Sequence, residues 1–166
     1  GSGAGLFIDD IYNSSATISS NQIYRNNYGI EINQSTTEAP ISRNVIRDNR
    51  NDGLSVRWSK NLIEYNDIFN NQGDGIEIRD NDNSNSSYLP KINANNIYSN
   101  QGYELNIQHE RSETVNARQN YWGVTDSLAI AAEILNYYDN ATSARCDFSH
   151  WYYNKVPLLP VDGFAA

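Results

Sequence analysis

Methionine is absent from this chain of 166 residues, and cysteine occurs once, as Cys146. A single cysteine permits no internal disulfide, which argues against a small scaffold stapled by cross-links. Histidine is nearly missing too, with only His109 and His150. Cys146 and His150 lie close in sequence, but no C-x-x-C or H-x-x-x-H spacing accompanies them. A zinc or copper centre therefore lacks its ligand pattern, and nothing orients His150 as a base for the thiol. Basic residues are scarce, 12 against 20 acidic ones, for a net charge of −8. With no basic block, the chain is not expected to bind nucleic acid or anionic lipid. No apolar run approaches the ~18 residues of a membrane-crossing helix, so membrane insertion is not expected.

What is present is asparagine, 25 of them, with 17 serines and 12 tyrosines. The length suits one domain with a sizeable core. An internal repeat organises it. Ile18-Ser-Ser-Asn21-Gln-Ile23-Tyr-Arg-Asn26 returns as Ile41 to Asn49, Ile63 to Asn71 and Ile92 to Asn100. The unit is I-x-x-N-x-I-x-x-N. A short alternating stretch follows each copy: Gly29-Ile-Glu-Ile32, Gly53-Leu-Ser-Val56, Gly75-Ile-Glu-Ile78 and Glu104-Leu-Asn-Ile107. The last carries Glu104 in the glycine slot. Gly5-Leu-Phe-Ile8 matches an incomplete first turn, and Val115 to Asn120 opens a final one. Steps from Ile18 to Val115 run 23, 22, 29 and 23 residues, and the long one holds a polar loop over 80–90. Residues 1–4 read as a cloning remnant. The four N-glycosylation sequons, at Asn13, Asn33, Asn85 and Asn140, are about what chance places in so asparagine-rich a chain.

Strands this short cannot make ordinary hairpins. Stacked as turns of a coil, each pairs with its copy one turn along, about 4.8 Å away. Isoleucine then stacks on isoleucine inside, at about 1.5–3 kcal/mol per buried side chain. No turn buries its apolar face alone, so neighbours supply the core. The asparagines are expected to serve twice. They tolerate the left-handed backbone that sharp bends require. Their amides can also bond to the copy above, giving one ladder of Asn21, Asn44, Asn66 and Asn95 and another of Asn26, Asn49, Asn71 and Asn100.

This pattern resembles the right-handed parallel β-helix repeat of carbohydrate-binding and sugar-hydrolase domains. The segment from Asn120-Tyr-Trp-Gly123 through Pro157 resembles the closing segment of bacterial and archaeal surface β-helices. The resemblance implies an all-β, single-stranded parallel solenoid of about five coils over 5–123, closed by a cap over 124–166. Within that cap, an i, i+4, i+8 apolar pattern predicts a helix over 126–139, with Thr125 or Asp126 as N-cap, followed by a strand and tail. Trp122 and Trp151 are expected beneath it. The resemblance also implies a secreted or cell-surface protein of bacterial type; with no signal peptide visible, the chain is expected to be a fragment of a longer one. The first strand begins without a cap, so that end is expected to meet further coils or a partner.

Function is expected on the outside, and three readings stand. In the first, the chain is a rigid non-catalytic scaffold that binds polysaccharide along an outward row of Tyr24, Arg47, Phe69 and Tyr98, extended by Trp58 or Tyr65. In the second, it is a polysaccharide lyase, hydrolase or epimerase. Its catalytic candidates are Glu31 and Glu77, two coils and so about 9–10 Å apart, beside Arg57 and Arg79. A solvated face with cross-strand ion pairs is the plainer account of the same residues. In the third, it is a stacking module of a larger surface protein. No cofactor is expected. Asp80 and Asp82 offer hard oxygens for calcium but lack the spacing of a calcium loop. Asp9-Asp10 is an acid pair without the basic partners of a hydrolase.

Overall fold

The computed structural model describes residues 3–11, 16–79, 88–108 and 113–158. Its strands form three sheets that are parallel throughout. The first contains Leu6–Ile11, Ile30–Ser35, Leu54–Ser59, Ile76–Arg79, Leu105–Gln108 and Ile134–Leu135 in that order. The second runs Ile18–Ser19, Pro40–Ser42, Leu62–Glu64, Lys91–Asn93, Thr114–Asn116 and Arg145–Asp147. The third is Gln22–Tyr24, Val45–Arg47, Asp67–Phe69 and Asn96–Tyr98. Each strand pairs with its counterpart 22 to 31 positions along, so the chain winds as a solenoid of three-sided coils, a parallel β-helix.

Register follows from what is buried. Ile30, Leu54, Ile76, Leu105 and Ile134 stand in one line, and Ile23, Ile46, Ile68 and Ile97 in another. These side chains and Ile41, Ile63 and Ile92 are buried in a single core that runs the length of the coil. A slip of one residue would turn every isoleucine outward, so the alternation pins the register.

Two asparagine ladders run along the turns. The backbone N–H and Nδ2 of Asn44 both donate to Oδ1 of Asn66, each at 3.0 Å, and Asn66 repeats this toward Asn95 at 2.9 and 3.0 Å. Nδ2 of Asn66 also donates to the carbonyl of Ile41 at 2.7 Å. This ladder reaches one rung beyond the expected set, to Asn120. The second links Asn26, Asn49, Asn71 and Asn100. Its end explains Glu104, whose carboxylate accepts from the backbone and Nδ2 of Asn100 at 3.3 and 2.5 Å. Glu104 thus takes the place of the next asparagine.

The left-handed backbone falls elsewhere than expected. It belongs to the residue before each ladder asparagine: Ser20, Arg43, Tyr65, Ala94 and Gln119 on one edge, and Arg25, Asp48, Asn70 and Ser99 on the other. The ladder asparagines are not among the positive-φ residues. The bend is made one position early so that the amide can point inward at the stack.

The cap also differs from expectation. The helix is Ser127–Ala132, with Asp126 as N-cap accepting from the N–H groups of Leu128 and Ala129. It stops at Glu133, and Ile134–Leu135 returns to strand to pair with Leu105–Asn106. Continued as helix, this segment would leave the edge of Leu105–Gln108 unpaired. As strand, the Glu133 carbonyl accepts from Glu104 and Leu105, and Ile134 is buried as a further core rung. Trp122 is buried in the core, while Trp151 packs against it more loosely.

Candidate functional site

The outer face of the first sheet carries two adjacent polar columns. Glu31, Ser55, Glu77 and Asn106 lie in one column, with Asn33, Arg57, Arg79 and Gln108 in the next. Outward positions of a solenoid are ordinarily wet, yet Ser55, Glu77 and Asn106 are only 6, 3 and 7 % exposed. They are covered from the side. Asp52 and Asp74, each just before a glycine-slot residue, lean over the column from the turn.

These aspartates form a third ladder, of carboxylates. Asp52 Oδ1 accepts from the N–H of Asp74 at 2.9 Å, and Asp74 Oδ1 from that of Tyr103 at 2.7 Å. Asp74 Oδ2 then accepts from Nδ2 of Asn106 at 2.7 Å. Arg79 binds the group together, 2.5 Å from Glu77 Oε2 and 3.8 Å from Asp52 Oδ2. So the ion pair of this face lies within one strand, Glu77 to Arg79, and reaches one coil back to Asp52. Burial pushes the carboxyl of Asp52 up to about 7, aided by its side-chain hydrogen bond to Glu77. Burial also raises Asp74, while the amide of Asn106 and the N–H of Tyr103 hold it down. Beside this network, Glu31 Oε2, Arg57 Nε and Asn106 Oδ1 are buried and find no hydrogen-bond partner among the described residues. The face can hold a proton at Asp52 near neutral pH, and it offers donors and acceptors side by side.

The expected aromatic row also exists. Tyr24, Arg47, Phe69 and Tyr98 are in register along the third sheet. Their faces, however, meet one another. Phe69 and Tyr98 stack 5.1 Å apart with planes 7° from parallel, and the Arg47 guanidinium lies over Tyr24 at 5.0 Å. Lys155, from the tail, sits 3.8 Å from the Tyr98 ring centre and pairs with its hydroxyl. Within the row, ring faces thus meet neighbouring side chains of the same sheet and the tail lysine. Trp58 lies in a first-sheet strand and Tyr65 on the edge between the second and third sheets, so neither extends it.

A family model described as right-handed beta helix region matches residues 1–130. The chain belongs to the right-handed β-helix family. No curated protein and no solved structure matches it.

In this β-helix the remaining candidates are dispersed. Asp80, Asp82 and His109 lie outside the described residues, as do the side chain of Asp10 and its setting. Cys146 aligns with Val115 in the coil wall, and burial pushes its thiol up to about 12. His150 is exposed on a coil edge, with Nδ1 near Ser149 Oγ at 3.0 Å and Arg118 Nη2 at 3.3 Å. Asp52 and Asp74 were not legible as site residues. Their one signal is position: each stands before the glycine slot of its coil, in Asn51-Asp52-Gly53 and Gly73-Asp74-Gly75.

Proposed function

We propose that this β-helix is a rigid, non-catalytic module of a secreted or cell-surface protein that binds a polysaccharide along the outer face of its first sheet. The observation that supports this is two adjacent columns of polar side chains in register there. Glu31, Asn33, Arg57 and Arg79 are partly exposed in them and Gln108 is exposed, on a face braced from the side by Asp52 and Asp74. Sugar hydroxyls, which donate and accept, match such a face, and the parallel strands repeat it at about 4.8 Å. Affinity electrophoresis against a panel of neutral and uronate-rich polysaccharides tests the proposal. Retardation by at least one polysaccharide, weakened about tenfold or more by Arg57→Ala, is the expected result. Equal mobility of wild type and Arg57→Ala on every gel would sink it.

A second reading, polysaccharide cleavage, is favoured by one feature. Asp52 holds its proton to about pH 7 in contact with Glu77, as an acid catalyst must. Reducing-end and unsaturated-uronate assays on the same samples decide it: product formation abolished by both Asp52→Asn and Glu77→Gln supports an enzyme.

A further inference from the structure

On another side of the coil lies a hollow of about 490 Å³ at the edge between the second and third sheets. Its origin is a missing side chain. The left-handed column of that edge carries Ser20, Arg43, Tyr65, Ala94, Gln119 and His150 in successive coils. Four of these are large. Ser20 ends the column, so Ala94 is the one small residue with large neighbours on both sides, and its absent bulk leaves a gap between Tyr65 and Gln119, two strand spacings or about 10 Å wide. Tyr65 forms one wall and remains 40 % exposed. Holding a tyrosine at φ 55° is costly for a bulky side chain, although the turn accepts any residue there that can adopt it. Glu64, Arg118 and His150 line the rest with the amides of Asn93, Asn116 and Gln119.

The geometry points to this hollow as a second saccharide site, taking a pyranose unit of a neutral glycan. An aromatic wall beside planar polar side chains offers an apolar ring face its partner and the hydroxyls theirs. The charges favour a neutral guest. Arg118 is already engaged by Asp147 Oδ2 at 3.3 Å and Ser149 Oγ at 3.0 Å, and Glu64 faces the same hollow. Asn93 spends Nδ2 on Asn116 Oδ1 and the Arg118 carbonyl, which leaves its Oδ1 to accept from a hydroxyl. The site does not depend on the face of the first sheet, and the two can fail separately.

Ala94→Tyr tests it, because the same column already carries Tyr65 and Gln119 in the same backbone conformation, so the fold should persist. Isotope-labelled protein is titrated with millimolar cellohexaose, xylohexaose and mannohexaose, and with trigalacturonate. Backbone shifts at Tyr65, Ala94, Gln119 and His150 with at least one neutral hexamer are expected. The affinity read from those shifts should fall tenfold or more in both Ala94→Tyr and Tyr65→Ala and stay within twofold in Leu128→Ala, on the exposed cap helix. No shift at these residues with any hexamer overturns the site. So does unchanged affinity in Ala94→Tyr with a native amide spectrum. Tighter binding of trigalacturonate than of every hexamer overturns the neutral class. Loss of binding in Arg57→Ala alone would place the sugar on the first sheet and overturn the second site.

Discussion

Asn66 shows what one residue carries in this molecule. It accepts two bonds from Asn44 and donates to Asn95, Ile41 and Glu64, all while fully buried. Asn66→Ala strands two donors of Asn44 and the carbonyl of Ile41, so a loss of about 3 kcal/mol or more is expected in urea unfolding. Asn21 stands at the exposed end of the same ladder, and Asn21→Ala should cost under about 1 kcal/mol. Equal losses at the two positions would mean the ladder bonds do not set the cost. Glu104 adds a pH dependence. It is 3 % exposed, and burial pushes its carboxyl from 4.5 up to about 7. An acid raised in the folded state favours folding fully below its unfolded value of 4.5 and loses that advantage as pH rises through about 7. The swing is on the order of 3 kcal/mol. Glu104→Gln keeps an oxygen for Asn100 and removes the titration, so its stability should vary less between pH 5 and 8 than that of wild type. An unchanged slope would place the pH dependence elsewhere.

At the scale of elements, the cap is the instructive case. Ile130, Ile134 and Tyr138 are spaced as a helix face, and the local sequence supports helix through Tyr138. The chain instead breaks after Ala132, because Ile134 buried against Leu105 and a paired sheet edge outweigh another turn of weakly stabilised helix. Hydrogen exchange separates the two conformations. As strand, the segment accepts from the N–H groups of Glu104 and Leu105, which should be protected as strongly as core amides. Rapid exchange there would restore the longer helix. Asp126→Ala removes two capping bonds and should cost about 1 kcal/mol in thermal or urea unfolding, small because the helix is only 6 residues. The short strands were legible because most carry one or two inward aliphatic residues, chiefly isoleucine, between polar turns, a period that fits neither helix nor hairpin. The carboxylate ladder was not, since apart from standing before the glycine slot Asp52 and Asp74 look like ordinary loop aspartates.

At the scale of the whole molecule, stability is a sum over neighbouring coils, and two buried acids weight it toward mild acidity. Asp52 and Glu104 are both pushed up to about 7, so each favours folding at low pH and ceases to do so as pH climbs through neutrality. The net charge of −8 acts in the same direction through self-repulsion. A thermal midpoint several degrees higher at pH 5 than at pH 8 is therefore expected by circular dichroism, and the reverse order would contradict both shifts. The sequence by itself determined the coil, its register and its two asparagine ladders, because a repeat places like residues at like positions and stacking follows from burial alone. It also determined that Glu31, Glu77, Arg57 and Arg79 share a face and that Tyr24, Arg47, Phe69 and Tyr98 share a row. Only the tertiary structure decided what those residues do. Asp52 and Asp74 cover the acidic column and Arg79 locks it, Lys155 closes on the aromatic rings, and Ala94 opens a hollow between larger neighbours. Each of these depends on side chains from different coils meeting in space, and no local pattern in the chain encodes such a meeting.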